Sequence, residues 1–525
     1  MRFLIVILSF FFLIGCDRGK PAKKTLKVNF AAEPSTLDPR KGGDIPSCTL
    51  QFMLYEGLVR YAKDPLDRFG IAERIDISDD KQTYTFHLRT SKWSDGHPLT
   101  ALDFEYAYKS MVSPSFPCLN INLLYPIKGA KEIKEGLLPT EILGVTALDE
   151  KTLVINLAHP TPYFLDLLSF SIFFPIPQHL AEKDPNWANQ KDLSLISNGP
   201  FVVSKWNHHE SLLLIKNPYY WQKDSIHIDE IIVTLIGDQN TTLEMFERKE
   251  LDILGVPFSS LPADAAKSLI EQNLLQARPT SGTSFLAFNL SKTFLNNPSI
   301  RKALSLSIDR ELLIQNITQL GEKVATGITP PNLKRPQQQF FQFPCDPSLA
   351  QSYLKQGLEE LGMTQNDIPP IDYLFNLNDP HKKIALAIQD AWREHLGITV
   401  NLRGVELKVY LDNLSSRNFD VSQSYLLAQF SDQLNILDRF KYRDNPKNHP
   451  GWYNPTYEAL INHSFYLEKE TRDRILSRAE ALLIEEGAIS PLYHWSSAAM
   501  VNPKLHGIYL SDINSIHFQG AYLDE

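Results

Sequence analysis

The chain predicts an α/β protein of two or three domains, with mixed sheets flanked by helices. Three observations carry that expectation. Its 525 residues exceed the roughly 250–300 at which a single hydrophobic core stops growing. With 43% hydrophobic and 22% charged residues, it has the makeup of a folded chain, without a low-complexity tract or internal repeat. From about Ser284 onward, strand-like and helix-like patterns alternate, as in a parallel or mixed sheet covered by helices.

Phe3 to Ile14 are almost wholly apolar behind Arg2, a run short of the roughly 20 residues that span a bilayer. It reads as a signal peptide over residues 1–15. Leu13-Ile14-Gly15-Cys16 resembles a lipobox, in which Cys16 is lipidated and becomes the new N-terminus; the alternative is an ordinary cleavage site beside a chance Cys. Residues up to 24 are polar, with Gly19 and Pro21, and suit a tether. Export to the periplasm or cell surface follows from this segment.

Leu26, Val28 and Phe30 alternate as a first strand that runs into Ala31 to Pro39, where Pro34 removes a backbone donor and biases Glu33 toward extended geometry. Tyr84, Phe86 and Leu88 alternate with Thr85, His87 and Arg89, the period of a strand with one buried face. Trp93 and the turn Ser94-Asp95-Gly96 follow. Thr100 and Asp103 then form a capping box for a helix with Phe104, Ala107, Tyr108 and Met111 on one face. A helix near Lys131, a strand from Leu153 to Leu157 and an extended return over Ile172 to Pro177 come next. Phe201 to Val203, Leu212 to Ile215 and Ile231 to Ile236 read as further strands.

In the second half Phe285 to Asn289 is a strand, and Ser299 is placed to cap a helix over Ile300 to Ser307. A helix from about Pro380 ends at Gly397 in the left-handed cap position, and Ile398 to Leu402 is a buried strand. A last helix, about Thr471 to Glu486, leads into Ile489 to Trp495.

Several functions are excluded. A net charge of −9 without a basic stripe argues against nucleic acid. No Gly-x-Ser-x-Gly elbow, His-Glu-x-x-His helix or Gly-x-x-x-x-Gly-Lys loop occurs. His208 and His209, read as neighbours on a strand, point apart and make a poor metal pair. Cys48, Cys118 and Cys345 allow at most one disulfide and have no metal-type spacing, so mostly free, buried thiols are expected. No enzyme activity, metal or cofactor is expected.

The run from Tyr84 to Phe104 resembles the signature of the periplasmic oligopeptide- and dipeptide-binding proteins of ABC importers, the extracellular solute-binding proteins of family 5. Other fragments recur in family order: Leu37-Asp38-Pro39, Tyr55-Glu56-Gly57-Leu58, Asn198-Gly199-Pro200-Phe201, Asn217-Pro218-Tyr219-Tyr220-Trp221, Ile300-Arg301-Lys302-Ala303-Leu304, Ser307-Ile308-Asp309-Arg310 and Phe419-Asp420-Val421. The resemblance implies a type II-like periplasmic binding fold of two lobes joined by a hinge, with crossings near Gly282 and Ser496. It places the first lobe at 25–57, 182–283 and 498–525, an inserted α+β subdomain at 58–181, and the second lobe at 284–497. It implies capture of a peptide or other small solute in the inter-lobe cleft. The implied partners are an ABC permease complex and the membrane, through the lipid; the protein is expected to be a monomer.

By the same resemblance the ligand lies between Ala32–Ser35, including Glu33, Pro34 and Ser35, and Ser424–Gln429, including Tyr425, Leu426, Leu427 and Gln429. Tyr106 and His381 are further contacts. The alternatives are that Tyr106 is core, Glu33 a solvated acid and His381 incidental. This chain departs from the oligopeptide branch where that branch anchors the peptide ammonium with Asp: Gln429 stands there, with Asp432 as the candidate substitute. Leu407, Leu414, Gln423 and Leu426 replace Trp, Arg, Arg and Trp. The lost arginines remove partners for a peptide's far end, which points to shorter, modified, apolar or cell-wall peptides, or to a metal chelate, opine or sugar. A signalling or adhesion lipoprotein on the same fold is the remaining alternative.

Overall fold

The computed structural model describes residues 23–62, 65–189, 195–259, 261–334, 341–511, 513 and 515–524. The signal peptide and Cys16 lie outside the described residues. Among those described, no helix is long and apolar enough to cross a membrane.

Two long antiparallel strands, Gln276–Phe288 and Ile489–Val501, run through both lobes at the middle of an eleven-stranded mixed sheet. On one side follow Ile253–Gly255, Thr25–Phe30, Glu230–Leu235, Ser211–Lys216 and Phe201–Asn207; on the other, Val421–Leu427, Ile371–Asn376 and Val400–Val405. The two strands pair at Pro279 with Ser496 and again at Thr283 with His494, and the register shifts between these points. Pro279 has no N–H to give the ladder. A Cβ on Gly282 would stand 2.9 Å from the Trp495 ring, so only glycine lets the strands cross here without displacing that ring.

Thr25–Phe30 pairs parallel with Glu230–Leu235, and Ile371–Asn376 parallel with Val400–Val405. Buried Leu26, Val28 and Phe30 face the core, as their alternation predicts. Between the first and later strands of this lobe stands a separate four-stranded antiparallel sheet, built from Ala72–Ile77, Thr83–Leu88, Thr152–Asn156 and Val145–Asp149. Tyr84, Phe86 and Leu88 are buried on it. The signature then closes on itself: Gly96 takes φ +89°, the Thr100–Asp103 capping box starts the helix Ala101–Val112, and Trp93 Nε1 donates to Asp103 Oδ2 at 3.3 Å.

Some local expectations are corrected. The helix near Ser299 is Pro298–Leu306, and its cap is Asn297, whose side-chain oxygen accepts from the N–H groups of Ser299 and Ile300; with Pro298 at the first helical position, the helix starts two residues before Ile300. Residues Ser171–Phe173 form a 3₁₀ turn before the chain extends. Val400–Val405 is an edge strand. All three thiols are free, but only Cys118 is buried, Cys48 being half-buried and Cys345 exposed. His208 and His209 lie past the end of their strand, and both meet Glu33.

The recurring fragments meet as a staple. Asn198 Nδ2 donates to Glu56 O at 2.8 Å, and Asn217 Nδ2 to Gly199 O at 2.9 Å. The buried Glu56 carboxylate accepts from Tyr220 Oη at 3.0 Å, from Arg60 Nη1 at 3.2 Å and from Trp221 Nε1. Removing it would leave the buried Tyr220 hydroxyl and the half-buried Trp221 indole without this acceptor, while Arg60 keeps Asp67 O and Gln222 Oε1. Glu56→Ala should therefore cost about 1–3 kcal/mol, the scale of a buried donor left unsatisfied, in the denaturant transition reporting the first lobe; a loss below about 0.5 kcal/mol would contradict this account of the staple.

Candidate functional site

The strand Val421–Leu427 is fully paired along one edge, from Leu427 opposite Gly282 to Val421 opposite Phe288. Along the other edge only Val421 and Ser422 have partners, Tyr373 and Leu374. Ala428 N–H donates to Ser281 O at 2.9 Å, so strand alternation turns the main chain of Ser424 and Leu426 to the hinge strand. It turns that of Gln423, Tyr425 and Leu427 to the open edge. There Tyr410 Oη donates to Gln423 O at 2.7 Å, and Arg439 Nη2 to Leu427 O at 3.0 Å. Between them the N–H and C=O of Tyr425 have no partner among the described residues. An edge of this kind accepts an added strand.

The Tyr425 ring stands over this edge in an aromatic group. Its centroid lies 5.5 Å from Trp495, 6.2 Å from His381 and 6.4 Å from Tyr410. Trp495 is pinned by its Nε1 donating to Ser284 Oγ at 2.8 Å. His381, in the first turn of Asp379–Leu396, is half-buried rather than exposed. Burial pushes its pKa below the usual value, against a hydrogen bond with Asn376 O, so the ring is neutral at pH 7.

On the first lobe, Glu33 is not a free acid. Its carboxylate accepts from Trp206 Nε1 at 2.8 Å and meets His208 Nδ1 at 2.8 Å and His209 Nδ1 at 2.9 Å. Burial raises its pKa, but the hydrogen bonds from His208 and Trp206 outweigh that and hold it below the ordinary value. Pro34 is buried, and the Ser35 hydroxyl, on an exposed residue, bonds to Asp44. Tyr106 is half-buried on Ala101–Val112 and packs against the core.

At the end of the open-edged strand the expected contacts separate. Leu426 is 2% exposed and its main chain addresses the hinge strand, while its side chain lines a cavity beside the edge; Leu427 is half-buried. Gln429 Nε2 donates to Asn120 Oδ1 at 2.8 Å, and Tyr61 Oη to Gln429 O at 3.3 Å, tying the second lobe to the inserted sheet's domain. Phe430 stacks on Tyr163 at 4.7 Å beside this tie. Asp432 does precede a helical turn, Leu434–Leu437, but its carboxylate is already held by Arg472, Nη1 at 2.8 Å and Nη2 at 2.7 Å. It is a structural anion, not an open amine anchor.

Of the substituted positions, Leu414 and Gln423 are buried and Leu407 is exposed. Sequence reasoning missed Tyr410, Trp495, Arg439, Asn120 and Tyr61, none of which carries a periodic or motif signal of its own. The one trio of metal-type ligands among the described residues joins Asp95 and His97 of the signature turn to His179 of the short helix Gln178–Ala181. There both rings address Asp95 Oδ2, at 2.8 and 2.9 Å.

Residues 69–448 match the model of the bacterial extracellular solute-binding proteins, family 5. The chain is 34% identical to the oligopeptide-binding protein OppA of Bacillus subtilis over 96% of its length and 94% of that protein's. It is 32% identical to the dipeptide-binding protein DppE of the same organism over 96% and 93%. Among solved structures it superposes on Listeria monocytogenes OppA bound to peptide with a TM-score of 0.79, at 28% identity, covering 96% of this chain and 99% of that one.

A double-mutant cycle tests the assignment of Asp432. Asp432→Asn and Arg472→Met should show a coupling of about 0.5–3 kcal/mol in unfolding free energy. Additive effects would return the carboxylate to the cleft as a free group.

Proposed function

The chain belongs to the bacterial extracellular solute-binding proteins of family 5, and from that membership we propose that it captures peptides between its lobes and delivers them to an ABC permease. The observation that carries the peptide reading is the open edge at Tyr425. Its free N–H and C=O offer a peptide main chain the two bonds of a strand pair, which gives affinity with little regard to side chains. The exposed Ala31, Ala32 and Ser35 and half-buried Glu33 supply the opposing wall, and Tyr106 and His381 flank the ligand. The lobes divide as 25–57, 182–283 and 498–525 against 284–497, with 58–181 inserted. Ligand that touches both lobes stabilises their closed arrangement by its differential affinity. No catalytic step is part of this function. Cys16 carries the lipid that holds the exported monomer at its membrane.

With Gln429 and Asp432 both engaged within the protein, the ligand amine meets no free carboxylate at these two positions. This supports short or modified peptides over a plain copy of the oligopeptide branch's preference.

Native mass spectrometry of the purified full chain, followed by calorimetric titration, tests the reading. A peptide should co-purify or bind saturably, and methylating the one ligand amide that pairs with Tyr425 O should weaken it by roughly 3- to 10-fold, the worth of one hydrogen bond. Silence across peptides with saturable binding of a metal chelate, opine or sugar would overturn it.

A further inference from the structure

Beside the open edge lies a cavity of about 260 Å³, whose lining includes Tyr410, Leu414, Tyr425, Arg439, Lys447 and His449. Its charge is one-sided. Arg439 donates Nε to Asn435 O at 2.9 Å and Nη2 to Leu427 O and Asn435 Oδ1 at 3.0 and 3.1 Å. Its Nη1 and the Lys447 Nζ have no acceptor among the described residues. The nearby Arg417 is spent on the carbonyls of Arg443 and Asn448. Burial alone pushes Arg439 down to about 10. Burial followed by Arg439, Arg417 and Lys447 pushes His449 down to about 3, so His449 is neutral at pH 7 while Arg439 and Lys447 are charged. No carboxylate contributes to any of these three environments. Arg439 is half-buried and Lys447 exposed, so two cations stand at this wall with donors free and no carboxylate beside them, the setting in which charge-assisted hydrogen bonds to an anion form.

We propose that this cavity is a carboxylate-recognition pocket, in which Arg439 Nη1 and Lys447 Nζ bind one carboxylate of the captured peptide. The inference rests on the peptide reading above and deepens it. Arg439 is bonded to Leu427 O, two residues from the free main chain of Tyr425, so a strand laid along that edge passes the pocket mouth. The volume is below the roughly 300–1,000 Å³ of sites that enclose a whole small ligand; it suits one side chain or one chain end. Leu414, which stands where the oligopeptide branch carries Arg, lines this same cavity. The positive charge lost from that wall is thus supplied by the opposite one.

Two sets of peptides, titrated by calorimetry into the full chain, test this: pairs that differ by Glu or Gln at each position in turn, and pairs with a free or amidated C-terminus. One set should favour the carboxylate by about tenfold or more, the scale of a charge-assisted hydrogen bond. The Glu/Gln set identifies a side chain and the acid/amide set a terminus. Arg439→Gln and Lys447→Gln should each reduce that preference to within about threefold, and Arg439→Lys should keep part of it. Indifference of the wild-type chain in both sets, or a preference that survives in Lys447→Gln and the folded double variant, overturns the pocket. If no peptide saturates, the peptide reading itself fails, and glutarate alone then decides the pocket. A higher unfolding temperature with glutarate in the wild type but not in Lys447→Gln upholds it, and no rise overturns it.

Discussion

The structure depends on two backbone segments that belong to both lobes at once. Gln276–Phe288 and Ile489–Val501 are each a single strand, paired to one another, whose two ends serve different halves of one sheet. Hydrogen bonding is continuous enough to hold the halves in line and interrupted just where Pro279, Gly282 and the Trp495 ring meet. The register shifts there and again between Ser284 and Phe285, and a sheet with fewer ladder bonds over this stretch resists bending less than elsewhere. The cleft wall at Tyr425 is attached directly beside that level, opposite Ser284.

What identified the family in the sequence is mostly what holds the fold together. Glu56, Asn198, Asn217, Tyr220 and Trp221 form one buried staple. Arg301 is consumed in capping the carbonyls of Leu295, Asn296, Glu486 and Gly487. Trp93, Thr100 and Asp103 lock the signature turn. These contacts are local, or join motifs whose wording is itself informative, so the α/β class, the capping box, the Gly397 helix end and the buried faces were all legible from residue order.

The candidate site was less legible, for a physical reason. Its groups come together through long-range register, not through periodicity. That Tyr425 carries a free main chain follows from where the neighbouring strand Ile371–Asn376 diverges, which no local pattern encodes. Asp432 looked available because nothing near it in sequence opposes its charge; Arg472, forty residues on, does. Leu426 looked like a ligand contact by position; strand alternation turns its main chain to the hinge strand, and only its side chain reaches the cavity beside the edge. Arg439 sits on the short 3₁₀ turn Asp438–Phe440 and Lys447 in the loop after it, where spacing carries no signal, yet both line the cavity beside the edge.

The central claim is that ligand binding draws the two lobes together about the paired strands. Small-angle X-ray scattering on the full chain, with and without a ligand shown to be bound by mass spectrometry, measures this directly. The account predicts a smaller radius of gyration for the ligand-bound form. An identical scattering profile in the two states, with the ligand demonstrably bound, would contradict it.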